Sequence, residues 1–231
     1  MGNMAGGYLA KQMGIPLGIL CAGVNVNDIT HRAFQTGIVQ KSAEMKVTMS
    51  EAINIQMPYN LERLLFYLTE QNHKQIKEWY SQLEEKSSRC MIVHATEWFT
   101  KLQKEFHSAR VTDEELCDTL GEVLRDLEYW ADPNTGVAFC AGKKLGYCLQ
   151  PDCKGKFALL ATASPCKFES VIAAALGKEK WEEYFKDYFP SKGKEILSKA
   201  ERPLILYEAV GSLEECQKAW EQKARSLIQG L

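Results

Sequence analysis

Residues 1–25, "MGNMAGGYLAKQMGIPLGILCAGVN", decide the fold. Gly2, Asn3, Gly6 and Gly7 lead into an apolar-periodic stretch, which gives way to Gly14, Pro16 and a continuous apolar run. That order reads as a glycine-bearing loop, a helix and a strand of the kind buried in parallel sheets. A glycine turn entering a helix offers an anion unpaired backbone N–H groups and the positive end of the helix dipole. Gly2 lets the backbone approach closely, and Asn3 adds an amide donor. Gly-Asn also occurs at plain turns, so the loop chemistry alone does not choose phosphate binding. A loop of this kind normally hangs from a preceding strand. The expectation is therefore a chain cut at the loop, with Met1 as an internal start.

Working outward, "NVNDITHRAFQTG" (25–37) reads as a turn, then a helix capped by Asn27 or Asp28 and stopped at Gly37. The strand–helix alternation favours an α/β layer architecture over residues 1–60. From 61 to 130 the apolar residues recur at three and four, which predicts amphipathic helices with Phe66, Tyr67, Trp79 and Tyr80 as a core stripe. Residues 131–231 return to α/β. There "DPNTGVAFCAGKKLG" predicts a helix ending at Gly146, and "KFALLATASPCKF" and "PLILYEAVG" predict strands. A closing helix is expected to start at Ser212, with Glu215 as its capping-box partner. No repeat or low-complexity linker interrupts the chain, so one compact unit is expected.

The totals narrow the function classes. Hydrophobic residues at 45% and charged residues at 25% describe an ordinary globular composition. A net charge of -2 gives no electrostatic reason to expect nucleic acid or an anionic membrane as partner. No apolar stretch approaches the roughly 20 residues that cross a bilayer. The first residues lack the basic flank and apolar core of a secretory signal, and a cytoplasmic or organellar location is the expectation. The eight cysteines are scattered mostly through apolar segments and read as reduced thiols. Cys148 and Cys153 have knuckle-like spacing but no second tight pair, so no metal is expected.

Several ordered segments carry a resemblance. "GNMAGGYLAKQMGIP" and "NVNDITHRAFQTG" resemble the threonine synthase family, whose members carry Gly-Asn followed by "YxAKxMGxP" and "NxNDIxHRxxxTG". "MSEAINIQMPYNLERLLFYL" is similar to the family's "SPSMDIQVPSNFERLLFYL", "DPNTGVA" to "DPHTAVG", and "LATASPCKF" to "LATAHPAKF". The matches are collinear from Gly2 to about Phe168, and the animal threonine synthase-like branch looks nearest.

The resemblance implies a partial pyridoxal 5′-phosphate (PLP) enzyme of fold type II, a parallel-sheet layer with flanking helices whose N-terminal half is missing. It gives Gly2, Asn3, Met4 and Ala5 the cofactor phosphate, and brings Thr162 to the pyridine nitrogen. Asn27, Asp28, His31 and Arg32 match a motif with a weaker claim to substrate; the alternative for them is a cap and a structural ion pair. Asn134 and Gly136 stand where the family commonly has His and Ala. The family's Schiff-base lysine lies in "TxAFKD" upstream of the loop, so it is expected before Met1. Phe185-Lys186-Asp187 spells similar letters, but in a charged helical context that reads as solvated surface.

The implied activity is a phospho-lyase or threonine-forming reaction on O-phosphohomoserine or a related phosphorylated hydroxy amino acid. The 231 residues alone are expected to be inactive, and the resemblance admits a homodimer in the full-length form. The competing reading is a short non-catalytic product, secreted by an unconventional route or retained, that binds a partner through exposed sheet edges and apolar faces.

Overall fold

The computed structural model describes residues 1–86, 89–91, 97–147, 157–200 and 211–229. These divide into two compact units, Met1–Pro190 and Ser191–Leu231.

The first unit opens with helix α1 (Gly2–Gln12) and strand β1 (Leu20–Val24). The Gly-Asn segment is itself the first turn of α1, not a loop ahead of it. Helix α2 (Ile29–Thr36) ends at Gly37, whose φ of 68° is the left-handed C-cap that glycine adopts without strain. Strand β2 (Ile38–Gln40) follows, and then helices α3 (Tyr59–Leu68) and α4 (His73–Ser81). The break between those two helices falls where Glu70 and Gln71 take φ of 54° and 67°. Asn72 then starts α4 by accepting from the Gln75 N–H at 3.2 Å.

Strand β3 (Arg89–Met91) pairs antiparallel with β2. After helix α5 (Glu97–Glu105), strand β4 (Phe106–Arg110) lies parallel to β1, from Leu20 opposite Phe106 to Val24 opposite Arg110. Helix α6 (Asp113–Leu127) carries a full capping box between Thr112 and Glu115, and α7 (Pro133–Lys144) starts on Asp132 with proline in its first turn. Gly23 lets α7 lie directly on β1, since a Cβ there would come 2.9 Å from the Val137 carbonyl oxygen. Helices α8 (Glu169–Leu176) and α9 (Lys178–Asp187) complete the unit.

Two cores result. Tyr8, Phe34, Leu61, Leu64, Leu68, Trp79 and Phe106 build the first, with the Tyr8 and Phe106 rings 5.4 Å apart. Of the predicted stripe, Trp79 and Tyr80 are buried, while Phe66 and Tyr67 pack only partly against it. Val111, Leu116, Leu120, Val137, Ile172, Trp181 and Tyr184 build the second.

The expected strand in "KFALLATASPCKF" does not form among residues 157–168. That stretch is irregular and ends in a short 3-10 turn at Pro165–Lys167. A strand needs a ladder partner, and no described strand pairs with it. In the second unit, helices α10 (Ser191–Leu197) and α11 (Leu213–Gln229) are described. The Ser212–Glu215 box forms as expected: the Ser212 N–H donates to Glu215 Oε2 at 2.7 Å, and the Glu215 N–H to Ser212 Oγ at 3.4 Å. Residues 203–210 of the expected "PLILYEAVG" strand lie outside the described residues, as do Cys148 and Cys153.

Candidate functional site

Beyond that of the N-cap, the N–H groups of the first three residues of an α-helix have no partner within it. In α1 these belong to Gly2, Asn3 and Met4, while the Ala5 N–H already donates to the Met1 carbonyl at 3.1 Å. No acidic side chain stands in that first turn to offset the positive helix end. The side chains diverge. Met4 is buried in the first core, Asn3 is exposed, and Gly2 and Ala5 open on a cleft between α1 and α3. This cleft holds about 590 Å³, with Gly2, Ala5 and Gly6 on one wall and Asn60, Arg63 and Tyr67 on the other. Nothing lies within 4 Å of a Cβ placed on Gly2 or Gly6, so the α1 wall leaves room for a ligand.

Thr162 does not line that cleft. Its N–H donates to Thr135 Oγ1 at 3.3 Å, and the Thr135 hydroxyl donates to Asp132. The Asp132 carboxylate, 1% exposed, also accepts the N–H groups of Asn134 at 2.9 Å and Thr135 at 3.2 Å. Asp132 thus caps α7 and, through Thr135, fixes the backbone at Thr162 while leaving the Thr162 side chain exposed. Beside this chain the Asn134 Oδ1 atom is buried with no hydrogen-bond partner among the described residues.

Asn27, Asp28, His31 and Arg32 are all engaged within the protein. Asn27 exchanges two hydrogen bonds with the Lys46 backbone, each 2.8 Å. Asp28 occupies the N-cap position of α2 but makes no side-chain cap bond. Its carboxylate instead pairs with Arg32 Nε at 2.8 Å and Arg110 Nε at 3.7 Å. His31 Nδ1 lies 2.9 Å from Ser108 Oγ on β4. Arg32 also reaches the Gln40 carbonyl at 2.9 Å.

The pattern missed the residues that organise this corner. Asn25, directly after β1, has Nδ2 within reach of Thr48 Oγ1 and Ser50 Oγ at 3.0 Å and of Asn54 Oδ1 at 2.7 Å. Asn25 Oδ1 accepts the Asn27 N–H at 2.9 Å. Such a network ties residues 46–54 to the C-terminal end of a parallel strand, the end where α/β folds place their ligands. The repeated asparagines in "NVNDI" were the only available signal, and it also fits a plain turn.

A second cluster joins the two parallel strands. The Tyr147 hydroxyl lies 3.1 Å from His107 Nδ1, and burial first, then its bond with Cys21, pushes that phenol up to about 12. Burial likewise raises the Cys21 thiol. Cys21, Cys117, Cys140 and Cys166 are free thiols, and among the described residues no three His, Cys, Asp or Glu side chains are placed to hold a metal. No described helix is long and apolar enough to cross a membrane.

No protein-family profile matches the chain. Individual proteins do. Human threonine synthase-like 2 is 34% identical over 179 residues, 77% of this chain and 36% of that protein. Threonine synthase of Saccharomyces cerevisiae is 29% identical over 208 residues, 84% of this chain and 40% of that protein. The crystal structure of yeast threonine synthase superimposes with a TM-score of 0.79 at 26% identity, covering 95% of this chain and 45% of that one. A PLP-bound threonine synthase from Brucella melitensis gives a TM-score of 0.65 at 27% identity, covering 74% and 35%. The chain therefore resembles threonine synthase and threonine synthase-like 2 over most of its own length. It spans only 36–40% of these curated relatives. Its small parallel sheet with flanking helices corresponds to part of the threonine synthase fold.

Proposed function

We propose that these 231 residues are part of a threonine synthase-like enzyme that uses PLP, and that the first turn of α1 receives the cofactor phosphate. One observation carries the reading: the unpaired donors of Gly2, Asn3 and Met4 stand at a helix end without a carboxylate, beside a cleft that Gly2 and Ala5 leave open. A phosphate monoester needs N–H donors and space at the backbone, and the first turn of α1 offers unpaired donors with Gly2 open to the cleft. When bound, the cofactor supplies an electron sink for charge developing at the substrate α-carbon.

Thr162 is assigned to the pyridine nitrogen. Its backbone is fixed through Thr135 to Asp132, and a neutral hydroxyl there does not protonate the ring. Asn27, Asp28, His31 and Arg32 are assigned chiefly to shaping the wall after β1, because each already has partners inside the protein. The lysine that carries the cofactor and moves the α-proton is assigned to chain outside these residues. Lys186 sits exposed on α9, near the end of that helix. The substrate is a phosphorylated hydroxy amino acid such as O-phosphohomoserine, with phosphate eliminated or replaced.

Release of phosphate from O-phosphohomoserine in the presence of PLP tests this. The chain alone is expected to show no turnover. A chimera completed with the unmatched part of yeast threonine synthase is expected to release phosphate, giving either threonine or a 2-oxo acid and ammonia. A folded, cofactor-loaded chimera that releases none contradicts the reading.

A second reading, a partner-binding product, draws support from one stretch. Leu9, Met13, Ile15 and Ile19 are 40–77% exposed, close along the chain to a two-stranded parallel sheet. Parallel strands are normally buried on both faces.

A further inference from the structure

We infer that Arg63 on α3 is a phosphate-monoester-binding residue, acting across the cleft from the α1 backbone donors; the inference rests on the cofactor reading above. Arg63 lines the same cleft as Gly2, Ala5 and Gly6, and Asn60, one turn earlier on α3, lines it too. Several other arginines and lysines of this unit are taken up: Arg32 and Arg110 by Asp28, Arg125 by Asp126, Lys11 by Glu105, Lys144 by Glu115. Among the described residues Arg63 enters no ion pair and donates no side-chain hydrogen bond. Glu62 also borders the cleft, but adjacent residues on a helix do not face each other, so it is not placed to neutralise its neighbour.

An arginine with its full fork of donors available matches a phosphate bidentately. The opposite wall suits an ester. Gly2 and Gly6 present no side chain, and no atom lies within 4 Å of either Cβ position. At about 590 Å³ the cleft falls within the usual size of a small-molecule site. The α3 residues thus make the anion site two-sided, with Gly2 of the first turn of α1 on one wall and the Arg63 guanidinium on the other.

The test is calorimetric titration of the wild-type chain, Arg63→Ala and Arg63→Lys with four probes. Pyridoxine 5′-phosphate is compared with pyridoxine, and O-phosphohomoserine with homoserine. Pyridoxine compounds carry an alcohol in place of the aldehyde, so condensation with surface lysines does not intrude. Arg63→Ala is expected to weaken pyridoxine 5′-phosphate about tenfold, as loss of one charge-assisted contact does. Arg63→Lys should weaken it less, about threefold. Pyridoxine itself should bind no differently. A loss confined to O-phosphohomoserine supports the inference with the substrate as the source of the ester. Wild type and Arg63→Ala binding both phosphate esters equally overturns the inference and leaves the cofactor reading standing. If the wild type does not favour either phosphorylated probe over its dephosphorylated counterpart, both fall.

Discussion

At the C-terminal end of β1 the described polar side chains close on one another, whereas across the α1–α3 cleft Arg63 faces open space. Asn25, Asn27, Thr48 and Ser50 are 0–7% exposed and interlinked, and Asp28 holds two arginines. The cleft of about 590 Å³ has Gly2, from the first turn of α1, on one wall and an uncommitted guanidinium on the other. Buried polar groups that are mutually satisfied rigidify a fold. Donors left without partners are what a ligand completes. The two regions therefore divide the labour, one holding shape and the other offering binding.

The comparison is broken if substitutions in the closed corner change binding or those in the cleft change stability. The largest effect is expected from Asp132→Ala. It removes the α7 cap and leaves the Thr135 hydroxyl and two N–H groups without their acceptor. A loss of about 3 kcal/mol is expected from the cap and desolvation costs together, read as a lowered urea midpoint. Next, Asn25→Ala should cost about 2 kcal/mol by leaving Thr48, Ser50 and Asn54 short of a donor. Its affinity for pyridoxine 5′-phosphate should be unchanged. A binding loss with intact stability would put Asn25 in the ligand site instead.

Thr112→Ala should cost about 1 kcal/mol through the α6 cap. The same cap carries a pH dependence. The Lys144 hydrogen bond first, and then the Thr112 N–H, hold the Glu115 carboxyl below its ordinary value. A carboxyl depressed on folding adds stability above its unfolded pKa, near 4.3, and that stability is lost as pH falls through the lower folded value. Glu115→Gln should therefore flatten the acid limb of melting temperature against pH and leave its slope near neutrality unchanged. The smallest effect belongs to the cleft: Arg63→Ala should move stability by no more than about 0.5 kcal/mol, being exposed and unpaired. A larger loss would make Arg63 part of the scaffold.

Local signals in the sequence were enough to place α1, β1 and α2, because their periodicities and the glycine at 37 are set within a few residues. The Ser212–Glu215 box was legible for the same reason. The stretch at 157–164 was not, because its apolar run looks like a strand and only a partner elsewhere in the chain decides whether a ladder forms. Arg63 was hidden differently. The spacing of Leu61, Leu64, Leu65 and Leu68 shows which face of α3 is buried, but says nothing about which element the other face meets. Asn25 looked like a turn residue, and its partners lie 23–29 positions away. The separation of Gly2 from Met4, one facing the cleft and the other the core, required the helix to begin at Gly2 itself.

The central claim is that the first turn of α1 holds a phosphate ester. The most direct measurement is the change in backbone amide chemical shifts on adding pyridoxine 5′-phosphate, with pyridoxine as the reference. The account predicts saturable shifts of the Gly2, Asn3 and Met4 amides with the phosphate ester that pyridoxine does not reproduce. Saturable shifts confined to other elements, with those three amides unmoved, would contradict it.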